Sequence, residues 1–179
     1  MTNSHVPCSS SSSSETNTDV DKRSAIVVVA STRAATGEYE DKTGTVLVNF
    51  LRSEGFSTPA PVVVADVDIA DTVAELLKSA DDAPDVLLTT GGTGITPDDQ
   101  TVEAVAPHIT KEMPGVSYAF WARGLESTPT AILSRCVAGI AGSTFVMTLP
   151  GSSGAVKDGI AVLSPIIHHI VDLAHRGNG

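Results

Sequence analysis

Three short apolar runs constrain this chain most. Ala25–Ala30 (AIVVVA), residues 61–65 (PVVVA) and Val86–Thr90 (VLLTT) have no alternating polar positions. Each reads as a strand covered on both faces, the pattern of a parallel sheet between helices. Between the runs the period changes from 2 to 3.6. Residues 41–56 read as a helix, with Val46, Leu47, Phe50 and Leu51 on one stripe and Gly55 as its stop. Residues 69–80 read as a second helix, capped by Asp68, with Ile69, Val73, Leu76 and Leu77 inward. A third is expected from about Val102, with Thr101 as N-cap, and a fourth over 116–125 after the Met113-Pro114-Gly115 turn. Residues 135–140 and Thr144–Leu149 read as strands around Gly142-Ser143. A terminal helix opens after 150–154, with Val156, Ile160, Leu163, Ile167, Ile170 and Ala174 inward, and Ser164-Pro165 predicts a kink or restart. The alternation predicts a three-layer α/β/α domain with a mostly parallel sheet and right-handed crossovers.

Residues 1–22 differ from the rest. An unbroken serine run from Ser9 to Ser14 and few apolar residues predict a flexible tail, leaving one domain over 23–179. The chain carries 21 acids against 11 bases, a formal net charge of −10. That balance excludes a basic nucleic-acid face and docking on an anionic membrane. Aromatics at 4% disfavour a base-stacking platform. No apolar run approaches the roughly 20 residues of a membrane span, and the serine-rich start lacks the apolar core of a secretory signal. Two cysteines, Cys8 and Cys136, make no disulfide framework. A reducing cytoplasm is the expected setting.

Ligands of an open α/β sheet bind at the carboxyl ends of its strands. Four segments are expected there: residues 31–33, Asp66, residues 91–99 and residues 149–154. Gly91, Gly92, Thr93 and Gly94 form a loop whose amides can approach an anion closely, with the Thr93 hydroxyl as a further donor. No Gly-Lys-Ser/Thr follows, so the loop is not a Walker A motif. The third glycine of a dinucleotide fingerprint is also absent. Asp66 and Asp99 end up beside this loop, and two strand-end carboxylates near phosphates suit Mg²⁺. Asp98 reads as a solvated acid before a helix N-terminus. From Asp66 to Glu103 there are ten acids and one base, Lys78, so a polyphosphate ligand there needs a cation. Pro150, Gly151, Ser152 and Ser153 form a second helix-entry loop, fit either for an anion or ring edge or for ordinary N-capping. Ala155 stands where a nucleophile elbow needs glycine. His168, His169 and His175 have no zinc-site spacing and read as surface or packing residues. Cys136 reads as core, and Trp121 and Phe120 as packing residues or a subunit interface.

These loops, in this order, resemble the molybdopterin adenylyltransferase family, the Mog/MoaB-like group of molybdenum cofactor biosynthesis. The resemblance covers about residues 25–175. It rests on residues 90–101 (TGGTGITPDDQT), 112–115 (EMPG), 129–135 (PTAILSR) and 149–153 (LPGSS), with 31–39 (STRAATGEY) and 41–44 (DKTG) similar to the family's first loop and helix. It implies a homotrimer of α/β subunits that transfers an adenylyl group from ATP to the terminal phosphate of molybdopterin, with Mg²⁺. The product would pass to a separate molybdenum insertion protein. The resemblance also implies Asp66 and Asp99 as the key carboxylates, residues 91–94 as the phosphate loop, and Pro150, Gly151, Ser152 and Ser153 as the pterin side, with Ser134 and Arg135 nearby. Asp98 stands where the family commonly has arginine, and Val102 where proline is frequent. The alternative is a non-catalytic MoaB-like pterin-binding or scaffold protein of the same pathway.

Overall fold

A computed structural model describes residues 23–37, 42–80 and 82–176. The expected tail (residues 1–22, including Cys8) and Asp41, the first residue of the expected first helix, lie outside them. Strands β1 (Ala25–Ala30), β2 (Val62–Val64), β3 (Val86–Thr90), β4 (Lys111–Glu112), β5 (Ala138–Ala141) and β6 (Thr144–Leu149) form one sheet in the order β2-β1-β3-β6-β5-β4. β2, β1, β3 and β6 are mutually parallel. β5 and β4 extend the sheet antiparallel.

The helices are α1 (Thr32–Ala35), α2 (Thr43–Ser53), α3 (Ile69–Leu76), α4 (Thr101–Val105), α5 (Pro114–Leu125), α6 (Ser153–Leu163) and α7 (Ile167–Arg176). The strand pleat divides the core in two. Ala25, Val27, Val86, Leu88, Phe145 and Met147 face α2, α5, α6 and α7. Val28, Ala30, Leu87 and Val146 face α3 and α4. Successive side chains of one strand point to opposite faces, so β1, β3 and β6 are covered on both, and Thr89, Thr90, Thr144 and Thr148 are buried with their apolar neighbours. This is the expected three-layer architecture.

Local departures each have a physical reason. Residues 61–65 were expected to form a buried strand. β2 instead pairs only with β1, and as an edge strand leaves Val62 and Val63 each 38% exposed. In α2, Val46 points outward and Val48 is buried in its place. Asp68 occupies the cap position of α3 without a side-chain capping bond; its carbonyl accepts from Thr72 Oγ1 at 2.9 Å. Gln100, not Thr101, precedes α4, because Thr101 is packed fully beneath the glycine loop. The strand expected over 135–140 starts only at Ala138, and its antiparallel partner β4 had no apolar run to announce it. The terminal helix breaks between Leu163 and Ile167, as Ser164-Pro165 predicts.

α7 is held to the sheet side by polar contacts as well. His168 Nε2 lies 3.2 Å from Glu54 Oε2 and stacks on Phe56. His175 Nε2 lies 2.6 Å from Asp85 Oδ1, and Asp172 pairs with Arg23. His168, Asp172 and His175 are spaced i, i+4 and i+7, one face of a helix. These histidines are packing residues, as expected. Among the described residues, no helix is long and apolar enough to cross a membrane.

Candidate functional site

Because β1, β2, β3 and β6 are parallel, the loops after all four emerge at one edge of the sheet. The loop after β3 turns through left-handed backbone at Gly91 (φ +97°) and Gly92 (φ +63°). Space demands glycine there as well. A Cβ on Gly91 would stand 2.1 Å from the Ala30 carbonyl oxygen, and one on Gly92 2.3 Å from Thr101 Oγ1. Gly91 N–H donates to Leu149 O at 2.9 Å, and Thr101 N–H to Gly92 O at 3.0 Å. Thr90 Oγ1 donates to Pro150 O at 3.1 Å, tying the loop after β3 to the loop after β6.

A cavity of about 680 Å³ opens between those two loops. Gly92, Thr93, Gly94, Asp99 and Ser134 line it at the first loop, and Pro150, Gly151 and Ser152 at the second. Thr93 is buried, its hydroxyl 3.1 Å from Ser134 Oγ. Ser134 is fixed further by Trp121, whose Nε1 donates to its carbonyl at 2.9 Å. Gly91 sits under the cavity rather than in its wall. Ser152 caps α6 by accepting from Ala155 N–H at 3.2 Å, and Ser153, the first residue of that helix, is not among the lining residues.

Asp66 and Asp99 do not share this cavity. Asp66 lines a second one, of about 970 Å³, with Ser31, Thr32, Arg33, Asp98 and Glu103. The turn at 97–100 divides the two: Pro97, Asp98 and Gln100 face the second, Asp99 the first. The carboxylates are held in the same way. Asp66 Oδ2 accepts from Thr32 N–H at 3.0 Å and Thr32 Oγ1 at 2.7 Å. Asp99 Oδ2 accepts from Thr96 N–H at 2.8 Å and Thr96 Oγ1 at 2.6 Å. Burial pushes the Asp99 carboxyl up, but the Thr96 hydroxyl, the Thr96 and Gly94 amides and the Arg135 charge outweigh it, so the group lies below the usual carboxylate range.

Arg135 lines neither cavity. Its Nε donates to Gly94 O at 2.6 Å, its Nη2 to Asp99 O at 2.9 Å, and its guanidinium pairs with Glu103. The sequence reading missed Glu103 in this role. It also missed Lys157, among the described residues the only Lys or Arg lining the 680 Å³ cavity. Lys157 lies one turn past Ser153, where helical side chains lean back toward the N-terminus, and that spacing was the available signal. Ile95 and Leu133, 72% and 54% exposed, add apolar walls suited to a flat ring.

Among the described residues no three His, Cys, Asp or Glu side chains cluster to hold a metal. Mg²⁺ does not require such a cluster, being held by one or two carboxylates plus substrate phosphates. A single threonine-braced aspartate beside a glycine loop fits that chemistry, so Asp99 is the residue that would hold the ion in the first cavity; Asp66 offers a threonine-braced carboxylate in the second, away from the glycine loop.

Residues 26–169 match the family described as a probable molybdopterin binding domain. A molybdenum cofactor biosynthesis bifunctional protein of Chlorobaculum tepidum is 36% identical over 159 residues; these cover 88% of this chain but 49% of that protein. The chain thus spans about half the length of that relative. A molybdopterin adenylyltransferase of Pyrococcus furiosus is 34% identical over 84% of this chain and 90% of its own length. The solved Mog protein of molybdopterin biosynthesis from Mycobacterium ulcerans superposes with a TM-score of 0.79 at 39% identity, covering 85% of this chain and 99% of that one. With the glycine loop, the Asp99 cavity and the Pro150–Ser152 wall in one place, and with this match over most of its length, the chain belongs to the molybdopterin-binding domain family of molybdenum cofactor biosynthesis.

Proposed function

We propose that the protein transfers an adenylyl group from ATP to the terminal phosphate of molybdopterin, releasing pyrophosphate. The observation that carries this reading is the shared cavity: the glycine loop and Asp99 face the loop at 150–152 across a space of about 680 Å³. The 34% identity to a protein named molybdopterin adenylyltransferase, over 90% of its length, supports it.

An oxygen of the terminal phosphate attacks the α-phosphorus of ATP. The bond from that phosphorus to the pyrophosphate oxygen breaks, and the electron pair leaves with pyrophosphate. The attacking phosphate is already anionic at neutral pH, so no side chain need remove a proton. The work of the chain is positioning and electrostatics. Amides at 92–94 orient phosphate oxygens, and Lys157 supplies positive charge from the opposite wall. Pro150, Gly151 and Ser134 shape the pterin side, and Ile95 and Leu133 exclude water from a ring. Bound Mg²⁺, held by Asp99 or Asp66, would neutralise phosphate charge. In this proposal the enzyme works in the cytoplasm as a homotrimer, for which the exposed Tyr118 and Leu125 of α5, with the partly buried Trp121 between them, are the candidate contact, and hands its product to a molybdenum insertion protein.

The test is incubation with ATP, Mg²⁺ and molybdopterin, with pyrophosphate and adenylylated pterin as readouts. A second reading, pterin binding without transfer, draws support from the charge balance: Lys157 is the only Lys or Arg among the described residues lining the cavity, and Asp98 occupies a position where family members commonly carry arginine. Pterin binding with no pyrophosphate would select it.

A further inference from the structure

The 94–99 turn presents Asp99 to the cavity, yet no regular secondary structure holds it. Its two ends are bridged by one side chain from elsewhere in the sequence. Arg135 Nε donates to Gly94 O at 2.6 Å and Arg135 Nη2 to Asp99 O at 2.9 Å. The Arg135 amide donates to Thr93 O at 2.9 Å, one residue before the turn. Glu103, in the first turn of α4, receives the rest of the fork: Nη1 pairs with Oε1, and Nη2 donates to Oε2 at 3.2 Å. The guanidinium therefore meets two carbonyls and a carboxylate at once, in a planar geometry that an ammonium cannot reproduce.

We infer that Arg135 is a positioning residue, which fixes the width of the 94–99 turn and so the place of Asp99, with Glu103 orienting it. It is not a group that touches the pterin. Two facts separate these roles. Arg135 lines neither cavity, and its donors are directed to protein acceptors. Inside the turn, Thr96 and Asp99 bond to one another, and that ring stays closed only while the ends keep the width that Arg135 sets, so loss of the brace opens it. The kinetic consequence rests on the adenylyl-transfer reading above; the mechanical one does not.

The experiment compares the parent with Arg135→Lys, Glu103→Ala and the double variant. Amide hydrogen exchange comes first. The amides of Thr96 and Asp99 should exchange at least about tenfold faster in Arg135→Lys and about threefold faster in Glu103→Ala, while the Gly91 amide, bonded to Leu149 O, stays as in the parent. Melting curves check that each variant is folded. In the transfer assay, kcat should fall by about 10- to 100-fold in Arg135→Lys, the scale of an ångström-sized misplacement, with KM for molybdopterin unchanged. The double variant should be little worse than Arg135→Lys, since both changes break one support. Unchanged exchange at Thr96 and Asp99 overturns the inference, as does a raised KM for molybdopterin with kcat intact. If the parent makes no pyrophosphate, the adenylyl-transfer reading fails, and the exchange comparison alone decides the role of Arg135.

Discussion

Thr96 and Asp99 close a ring on themselves: Asp99 Oδ2 accepts from Thr96 N–H at 2.8 Å and from Thr96 Oγ1 at 2.6 Å, while Asp99 N–H donates back to Thr96 O at 3.0 Å. The same device holds Asp66 through Thr32. A threonine thus holds each of the two aspartates through its amide and its hydroxyl. Thr96→Val removes the hydroxyl donor and keeps the shape. We expect the Asp99 carboxyl to rise toward its ordinary value and transfer to fall about tenfold, the scale of one hydrogen bond to a charged group. Carboxyl-carbon NMR titration and steady-state kinetics measure the two effects.

Acid stability follows from the same groups. The Arg135 hydrogen bond holds Glu103 below the usual range, and Asp99 also lies below it. A depressed native pKa means that the folded state binds fewer protons than the unfolded chain. The stabilisation is therefore complete above the unfolded value, near pH 4, and is lost as pH falls through the native values. Asp99→Asn should flatten the fall in stability below about pH 4. Parallel denaturation curves for the two proteins from pH 2 to 6 would contradict this.

Gly91 and Gly154 make a matched pair of opposite sign. Gly91→Ala forces a Cβ onto the Ala30 carbonyl oxygen in left-handed backbone, and should cost about 1–3 kcal/mol or more. Gly154, inside α6, has nothing within 4 Å of its would-be Cβ. Gly154→Ala should stabilise by about 0.5–1 kcal/mol. Thermal melts of both variants check the contrast.

The sequence made the layer order and the four strand-end loops legible, because β1, β3 and β6 are apolar on both faces and the glycines stand directly after β3. It could not show that β2 is an edge strand: Val62, Val63 and Val64 look the same whether one face or both are covered. β4, only Lys111 and Glu112, has no pattern of its own and exists by pairing with β5. Within the site, the loops at 92–94 and 150–152 met as expected. The division of Asp66 from Asp99 depends on the turn at 97–100, a three-dimensional feature that spacing does not encode. Arg135 was legible as belonging near the site, but not as a brace, since its partner Glu103 lies 32 residues earlier.

Cys136 provides a check on packing independent of catalysis. Burial pushes its thiol up to about 12, against weaker opposing bonds from Ser117 and Thr148. In a Cys8→Ser background, a disulfide reagent at pH 8 should find no reactive thiol in the native protein over minutes and one after denaturation. Rapid native labelling would show that the wall between α5 and β5 opens readily.

Adenylyl transfer at the Asp99 cavity is the activity proposed for the protein. The most direct measurement is single-turnover conversion of molybdopterin with ATP and Mg²⁺, following pyrophosphate and adenylylated pterin together, in the parent and in Asp99→Asn. One pyrophosphate per adenylylated pterin is expected in the parent. In the variant the rate should be lower by about 100-fold or more, with pterin binding retained. A parent that binds molybdopterin but releases no pyrophosphate, or an Asp99→Asn protein that transfers at the parent rate, would contradict it.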